Sequence, residues 1–530
     1  MEKALLYDTT LRDGMQGENI FFSPEDKIKI AKKIDDIGIH YIEGGWPGSN
    51  PGAQEFFELA KNVKFKNSKI AAFGSTRHPK KTVENDANIQ ALLKSEAPVV
   101  TIFGKSWDLH VEKIMNNSKE NNLVMIRESV EYLFNNGREV IYDAEHFFDG
   151  YKDNPEYALK TLKAALEGKT KTIVLCDTNG GTLPSEITEI TKDVTQYLKK
   201  IMKEDFSNIT LGIHAHNDCA MAVANSIAAV QQGVSMVQGT INGYGERCGN
   251  TDLTSIIPIL SKKLGINCTS DEHLKNLRSL SRFVSEAANI PPLNNRPFVG
   301  KSAFAHKGGI HVSAVNKISR AYEHMDPEIV GNRRRVLVSE QSGRSNIEYK
   351  AKELGVDLKN DKQNGINIVS NVKELENYGY EFDIADGSLK LLMEKLTGQF
   401  KSKFELESFR VTIEKDMERP CYSHAMIKVR VGDEYEITSA EGDGPVSALD
   451  NALRKSLSLI YPELNNMQLV DFKVRVIDGM DGTKARVRVL IESRDENSVF
   501  TTVGVSEDII EASWQALADS FQYKLSLGDK

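Results

Sequence analysis

Ile209-Thr210-Leu211-Gly212-Ile213-His214-Ala215-His216-Asn217-Asp218 is the stretch whose reading decides the fold. Its first five residues are largely apolar, as in a strand buried on both faces. An extended chain points alternate side chains to one face, so His214 and His216 project together from the strand's carboxyl end. Spacing alone leaves two readings side by side. The pair grips one ion, or it is two histidines satisfied by ordinary hydrogen bonds.

Working outward, the same kind of run recurs. ALLYD (4–8), HYIEGGW (40–46), KIAAFGS (69–75), PVVTIFG (98–104), EVIYDAEHF (139–147), TIVLCDT (172–178), ITLGIHAH (209–216) and SMVQGTI (235–241) predict eight strands. Helix-patterned stretches separate them: Ser23 to Ile37, with Ser23 as cap and Pro24 in the first turn, then Asn154 to Leu166, Pro184 to Ile201, Met221 to Gln232 and Leu253 to Leu264. Eight such alternations within about 265 residues match an α/β fold of the (β/α)8 TIM-barrel type rather than an open doubly wound sheet. In that fold all strand carboxyl ends meet at one mouth, where chemistry is housed.

Residues 266 to about 400 read as helical and irregular, with the Pro/Asn-rich connection PPLNNRPFVG (291–300) and a polar tract from Asp357 to Asn367 taken as linker. Beyond them the pattern alternates like half-exposed strands. SFRVTIEKDM, SHAMIKVRV and EYEITSAEG precede a helix at Val446 to Leu459. LVDFKVRVID, KARVRVLIES and NSVFTTVGV precede a second at Glu507 to Tyr523, giving two βββα units. The expected division is a catalytic barrel at 1–290, a linker with helical subdomains at 291–400, and an α+β regulatory domain at 401–530.

With 530 residues the chain exceeds what one core organises. A formal charge of −8 with interspersed signs carries no basic stripe for nucleic acid, and no apolar run is long enough to span a bilayer. Five scattered cysteines without a CxxC spacing argue against a disulfide framework or a thiolate zinc site. The expectation is a cytoplasmic enzyme acting on small molecules, without nucleic-acid or membrane partners.

The mouth of the barrel collects polar residues from successive strands: Arg12 and Asp13, Asp143 and Glu145, Asp177, Thr178 and Asn179, the two histidines with Asn217 and Asp218, then Asn242, Glu246, Arg247 and Asn250. Two histidines and a carboxylate, Asp13, suit a divalent ion with open positions for substrate oxygens. Arg12 beside them can hold a carboxylate or neutralise an oxyanion, though an Arg-Asp pair after a strand is equally a surface ion pair. Glu145 also reads as a solvated loop carboxylate, and Cys219 and Cys248 as packing residues. The glycines of NGYGERCGN (242–250) read as a tight turn rather than a phosphate loop. His306 and His311 lie in the Gly-rich AFAHKGGIHVSAVNK (303–317), where His311 is either a proton acceptor for a carbon acid or an ordinary loop histidine.

Taken together, Asp8-Thr9-Thr10-Leu11-Arg12-Asp13-Gly14 followed by Met15-Gln16, HAHND at 214–218 and GYGERCGN at 243–250 resemble the metal-dependent acyl-CoA condensing enzymes and lyases. GGIH at 308–311, Tyr322 in SRAYEHMDPE and SGRSN at 342–346 resemble the α-isopropylmalate and citramalate synthase branch, and the duplicated module resembles that branch's feedback domain. The resemblance implies Asp13, His214 and His216 as ligands of a divalent ion, Mn²⁺ or Mg²⁺ with Zn²⁺ or Co²⁺ as further candidates, and Asn250 as an outer-sphere partner. It implies Arg12, Glu145, His311 and Tyr322 as catalytic residues. Arg12, Gln16, Thr101, Ile102, Asp143 and Thr178 are the expected contacts to substrate, and acetyl-CoA is the expected co-substrate. Isopropylmalate-forming members carry a histidine on strand four where this chain has Thr101. DAEHFFDGYK (143–152) and CDTNGGTLP (176–184) look like the branch that accepts pyruvate, with Phe73, Ile102 and Phe103 narrowing the acceptor pocket. The implied product is (R)-citramalate, on a route to isoleucine. A homodimer with isoleucine as feedback effector is implied too. The competing expectations are 2-oxoisovalerate or 2-oxoglutarate as acceptor, and a catalytically silent amino-acid sensor.

Overall fold

Strands buried on both faces must close or be covered, because an open edge would leave backbone groups unpaired. In the computed structural model they close. The structure describes residues 3–358, 362–415, 417, 420–477 and 485–529. Strands β1 (Leu5–Asp8), β2 (Tyr41–Gly45), β3 (Lys69–Ser75), β4 (Val99–Lys105), β5 (Glu139–Glu145), β6 (Thr172–Asp177), β7 (Thr210–Ala215) and β8 (Met236–Gly239) form a closed parallel barrel in sequence order. Closure is made by β1 against β8, with Leu5 opposite Met236 and Asp8 opposite Gly239. All eight predicted strands are present.

The outer layer is built by α1 (Pro24–Asp35), α2 (Pro51–Ala60), α3 (Ala87–Lys94), α4 (Lys119–Asn135), α5 (Phe147–Asp153), α6 (Pro155–Glu167), α7 (Pro184–Met202), α8 (Ala222–Gln231) and α9 (Leu253–Pro258), followed by α10 (Asp271–Leu274) and α11 (Leu277–Ala287). Ser23 caps α1 as expected, its hydroxyl accepting from the Asp26 N–H at 3.1 Å. The helix expected over 253–264 changes character midway. Pro258 has no N–H for the ladder, and the chain continues as a wider turn over Ile259–Lys263, with Leu264 N donating to Ile259 O at 3.0 Å.

Inside the barrel Tyr7, Tyr41, Ala71, Val99, Ile141, Val174, Cys176 and Met236 pack into one layer. Period-two alternation then puts Glu43, Phe73, Thr101, Phe103, Asp143, Glu145, His214 and Gln238 on the same inner face, towards the carboxyl ends. The lumen is therefore apolar at the bottom and polar at the mouth.

Two compact units divide the chain. One runs to Phe304 and includes Pro327–Arg333; the other comprises Ala305–Asp326 and Arg334–Lys530. In the second, β9 (Ala305–His306) pairs with β10 (Arg335–Val336), next to α12 (Gly309–Lys317) and α13 (Arg344–Leu354). Helices α14 (Lys362–Tyr378) and α15 (Asp386–Thr397) follow. The tract read as linker from Asp357 to Asn367 thus enters a helix at Lys362. Gln363 and Asn367 are exposed on the outer face, while Ile368 and Val372, both buried in a core with Val338, Ile347 and Leu389, supply the inner one together with the partly buried Val369 and Leu375. Residues 359–361 of that tract lie outside the described residues.

The terminal segment forms two antiparallel meanders, β11 (Glu405–Glu414) with β12 (Tyr422–Val431) and β13 (Glu434–Gly442), and β14 (Gln468–Val476) with β15 (Val487–Arg494) and β16 (Val499–Ser506). Helices α16 (Pro445–Leu457) and α17 (Ile509–Ser526) complete the predicted duplication. Ala425, Ile427, Val429, Val489 and Ile491 from the sheets meet Leu449, Leu453, Trp514 and Phe521 from the helices in one core shared by the two βββα repeats.

Candidate active site

The two histidines stand where their spacing put them, at the end of β7, with ring centroids 5.3 Å apart. The loop after β8 is stitched onto that end. Asn217 N donates to Gly249 O at 2.9 Å, Thr251 N donates to Ala215 O at 3.0 Å, and His216 bridges to Asn250. This needs a chain that reverses within a few residues. Gly243 at φ +64° and Gly249 at φ +90° make the reversal, and a side chain on Gly249 would run into the Gly243 carbonyl. The glycines of NGYGERCGN serve a turn, as expected. Arg247 locks it through Asp218, Nε to Oδ1 at 2.7 Å and Nη2 to Oδ2 at 2.9 Å.

Asn250 is brought to His214, its Nδ2 3.1 Å from His214 Nε2. Asp13, from the turn after β1, presents Oδ2 to the same nitrogen at 3.6 Å. The other face of the His214 ring meets Gln238, whose Oε1 lies 2.8 Å from Nδ1 and whose Nε2 donates to Asp143 Oδ1 at 3.1 Å. Among the described residues, no three His, Cys, Asp or Glu side chains are already drawn together as an ion's cage. Yet buried Asp13 Oδ2, His216 Nδ1 and Asn250 Oδ1 each have no hydrogen-bond partner there. Unsatisfied buried acceptors of this kind carry a desolvation cost that a cation removes, so the donor set fits a divalent ion.

The electrostatics favour the same chemistry. Burial pushes His214 below the ordinary imidazole range, and burial with the neighbouring His214 lowers His216 to about 3, so both rings are neutral with a lone pair to offer. Burial raises Asp13, but Arg12 and the imidazoles outweigh it and hold the carboxyl below its usual range. Glu43 moves the other way, pushed up by burial against the opposing pull of Arg12.

Glu43 is a member of the site that the sequence reading missed. Arg12 donates Nε to Glu43 Oε1 at 2.5 Å and Nη1 to Asp13 Oδ1, while its Cζ lies 3.7 Å over the Phe73 ring. Tyr7 Oη donates to Glu43 Oε2 at 2.6 Å and lies 2.7 Å from Thr101 Oγ1. The signal for Glu43 and Gln238 was a lone polar residue inside an apolar run, YIEGG and MVQG. Phe73 stacks on Phe103 at 5.5 Å, and Trp46 stands edge-on to both at 6.0 and 5.8 Å, so an aromatic wall flanks Arg12.

The remaining expected residues divide. Asp143 reaches the site through Gln238, and Thr101 through Tyr7. Glu145 is at the mouth but ion-paired with Lys105. Thr178 accepts from the His146 N–H at 2.9 Å. Gln16 is exposed beyond the turn. Ile102 is a correction: Thr101 and Phe103 take the inner face of β4, so alternation sends Ile102 outward into the layer between strands and helices, where it is fully buried. His311 and Tyr322 belong to the second compact unit, stacked with centroids 4.2 Å apart. His306, in the same segment, is tied to Glu323 at 3.0 Å and carries a structural bond. Cys219 and Cys248 are exposed and free.

The chain belongs to the HMGL-like family, the match covering residues 3–284 and so the whole barrel. Residues 298–379 match a homocitrate synthase post-HMGL domain-like segment and 383–525 a LeuA allosteric (dimerisation) domain. Among individual relatives, the (R)-citramalate synthase of Aquifex aeolicus is 54% identical over 526 residues, 99% of this chain and 98% of that protein. The (R)-citramalate synthase of Geobacter sulfurreducens is 53% identical over 526 residues, with the same shares. The 2-isopropylmalate synthase of Methanocaldococcus jannaschii is 30% identical over 534 residues, 100% of this chain and 96% of that protein.

Proposed function

We propose that the chain condenses acetyl-CoA with pyruvate and hydrolyses the resulting thioester, giving (R)-citramalate and free CoA for isoleucine synthesis. The observation that carries this reading is end-to-end similarity, at 54% and 53% identity, to two (R)-citramalate synthases, against 30% to a 2-isopropylmalate synthase.

In this reading Asp13, His214 and His216 hold a divalent ion, Mn²⁺ or Mg²⁺ in the first instance, with Asn250 in its outer sphere. Such an ion polarises the keto group of the acceptor and orients it. Arg12 neutralises charge that develops on the keto oxygen, and Thr101, Asp143, Thr178 and Gln16 orient the acid. His311, supported by Tyr322, takes a proton from the methyl group of acetyl-CoA, and Glu145 positions the acyl group. The methyl carbon bonds to C2 of pyruvate and the keto oxygen becomes a hydroxyl. Water then cleaves the thioester, and CoA leaves as the thiol. The wall of Phe73, Phe103 and Trp46 favours a small acceptor, each added methylene costing about 1–3 kcal/mol.

The LeuA-type match supports a homodimer, with isoleucine as the proposed effector at the terminal module. The proposed division is a catalytic barrel at 1–290, linker subdomains at 291–400 and a regulatory domain at 401–530. Five free thiols fit the proposed cytoplasmic setting, and among the described residues no helix is long and apolar enough to cross a membrane. The test is CoA release from acetyl-CoA by EDTA-stripped protein resupplied with Mn²⁺ or Mg²⁺. Metal-dependent release with pyruvate preferred is expected. A preference for 2-oxoisovalerate, or release indifferent to metal, overturns the reading.

A further inference from the structure

We infer that Gln238 is a positioning residue that holds His214 in the tautomer able to bind an ion, and that Asp143 fixes Gln238 in turn. The inference rests on the ion-site reading above. It is carried by a line of bonds across the lumen from β5 through β8 to β7. Asp143 Oδ1 accepts the Gln238 Nε2–H at 3.1 Å. That contact uses the NH₂ end of the amide, and the carbonyl end, Oε1, faces His214 Nδ1 at 2.8 Å.

A neutral imidazole carries one N–H. Facing an acceptor at Nδ1, His214 places its proton there and keeps its lone pair on Nε2. That nitrogen points at Asn250 Nδ2, 3.1 Å away, and at Asp13 Oδ2, 3.6 Å away. The Asn250 amide donates to that lone pair, whereas the Asp13 carboxylate oxygen repels it unless a cation lies between them. The reversed tautomer would put a proton into the ion's place.

Gln238 is fully buried, so water does not substitute for its carbonyl. A methionine there keeps the length of the side chain and leaves the Nδ1–H without an acceptor. Outer partners that orient a ligating histidine are worth about 10- to 100-fold in metal affinity.

The experiment titrates Mn²⁺ into EDTA-stripped full-length protein and reads free Mn²⁺ by electron paramagnetic resonance. Q238M is expected to weaken binding about 10- to 100-fold. The double variant D143N/Q238E reverses the polarity of the first bond, with the new amide on β5 donating and the new carboxylate on β8 accepting from both sides, and is expected to recover most of the loss. A purely packing role predicts the opposite order, since methionine then suits a buried site better than a carboxylate. Parent-like affinity in Q238M, or no recovery in D143N/Q238E, overturns the inference.

The parent protein supplies a second readout, in which a variant serves only for assignment. With ¹⁵N-labelled histidine, and His214 assigned by comparison with H214Q, Nδ1 is expected to carry the proton and Nε2 to be bare. The reverse overturns the inference. A parent that binds no Mn²⁺ yet shows this tautomer overturns the ion-site reading instead, so the two failures are distinguishable.

Discussion

Arg12 answers to two carboxylates at once, Glu43 through Nε at 2.5 Å and Asp13 through Nη1, with Phe73 beneath its plane. A planar fork aims separate N–H groups at the two carboxylates while its face stacks on the ring, a fixed geometry that a flexible lysine ammonium, a point charge, does not reproduce. Arg12→Lys is therefore expected to lower the rate of CoA release by about 10²- to 10³-fold, in line with loss of one oxyanion donor, while the circular dichroism spectrum stays unchanged. A loss smaller than tenfold removes Arg12 from that role. Arg12 with Asp13, and His214 with His216, were legible because each pair is close in sequence at the carboxyl end of one strand, β1 and β7. Glu43, Gln238 and Tyr7 were not. In a parallel barrel both faces of a strand are buried, so YIEGG and MVQG show no alternation to mark which polar side chain faces the lumen.

At the scale of elements, the terminal module shows how its last strand pair is tied to its last helix. Asp495, just past β15, accepts from Lys524 Nζ of α17 at 2.6 Å and from the N–H groups of Asn497 and Ser498 at 2.9 and 2.7 Å. Burial raises its carboxyl, but the ammonium and the N–H groups outweigh burial and bring it from an ordinary 3.8 down to about 2. A carboxyl depressed in the folded state adds stability above its unfolded value and loses it as pH falls through its folded one. Denaturant titrations of the full chain are expected to show the module weakening between about pH 4 and pH 2. Asp495→Asn should flatten that slope and cost about 1–2 kcal/mol at neutral pH. An unchanged slope in the variant rejects the assignment. The start of the helix at Lys362–Tyr378 and the wide turn after Pro258 were misread for complementary reasons: one begins with polar residues before Ile368, Val369, Val372 and Leu375 mark its inner face, and the other has a proline that the periodicity ignores.

Across the whole molecule, two compact units with separate cores lead us to expect two calorimetric transitions rather than one. A ligand stabilises the unit that binds it, by about 2.7 kcal/mol at a hundredfold excess over Kd. Mn²⁺ is expected to raise the transition of the barrel unit, and isoleucine that of the unit containing the terminal module. An ion that moves only the second transition argues against the Asp13, His214 and His216 site. By itself the sequence determined the eight strand and helix alternations, the doubled βββα pattern and the pairing of two histidines at the end of β7, because these depend on periodicity and on residues close in the chain. Only the tertiary structure decided that Ile102 faces away from the mouth, that Glu43 holds Arg12 and that Gln238 joins Asp143 to His214. Those contacts join residues 31, 24 and 95 positions apart, and barrel closure is what brings them within bonding distance.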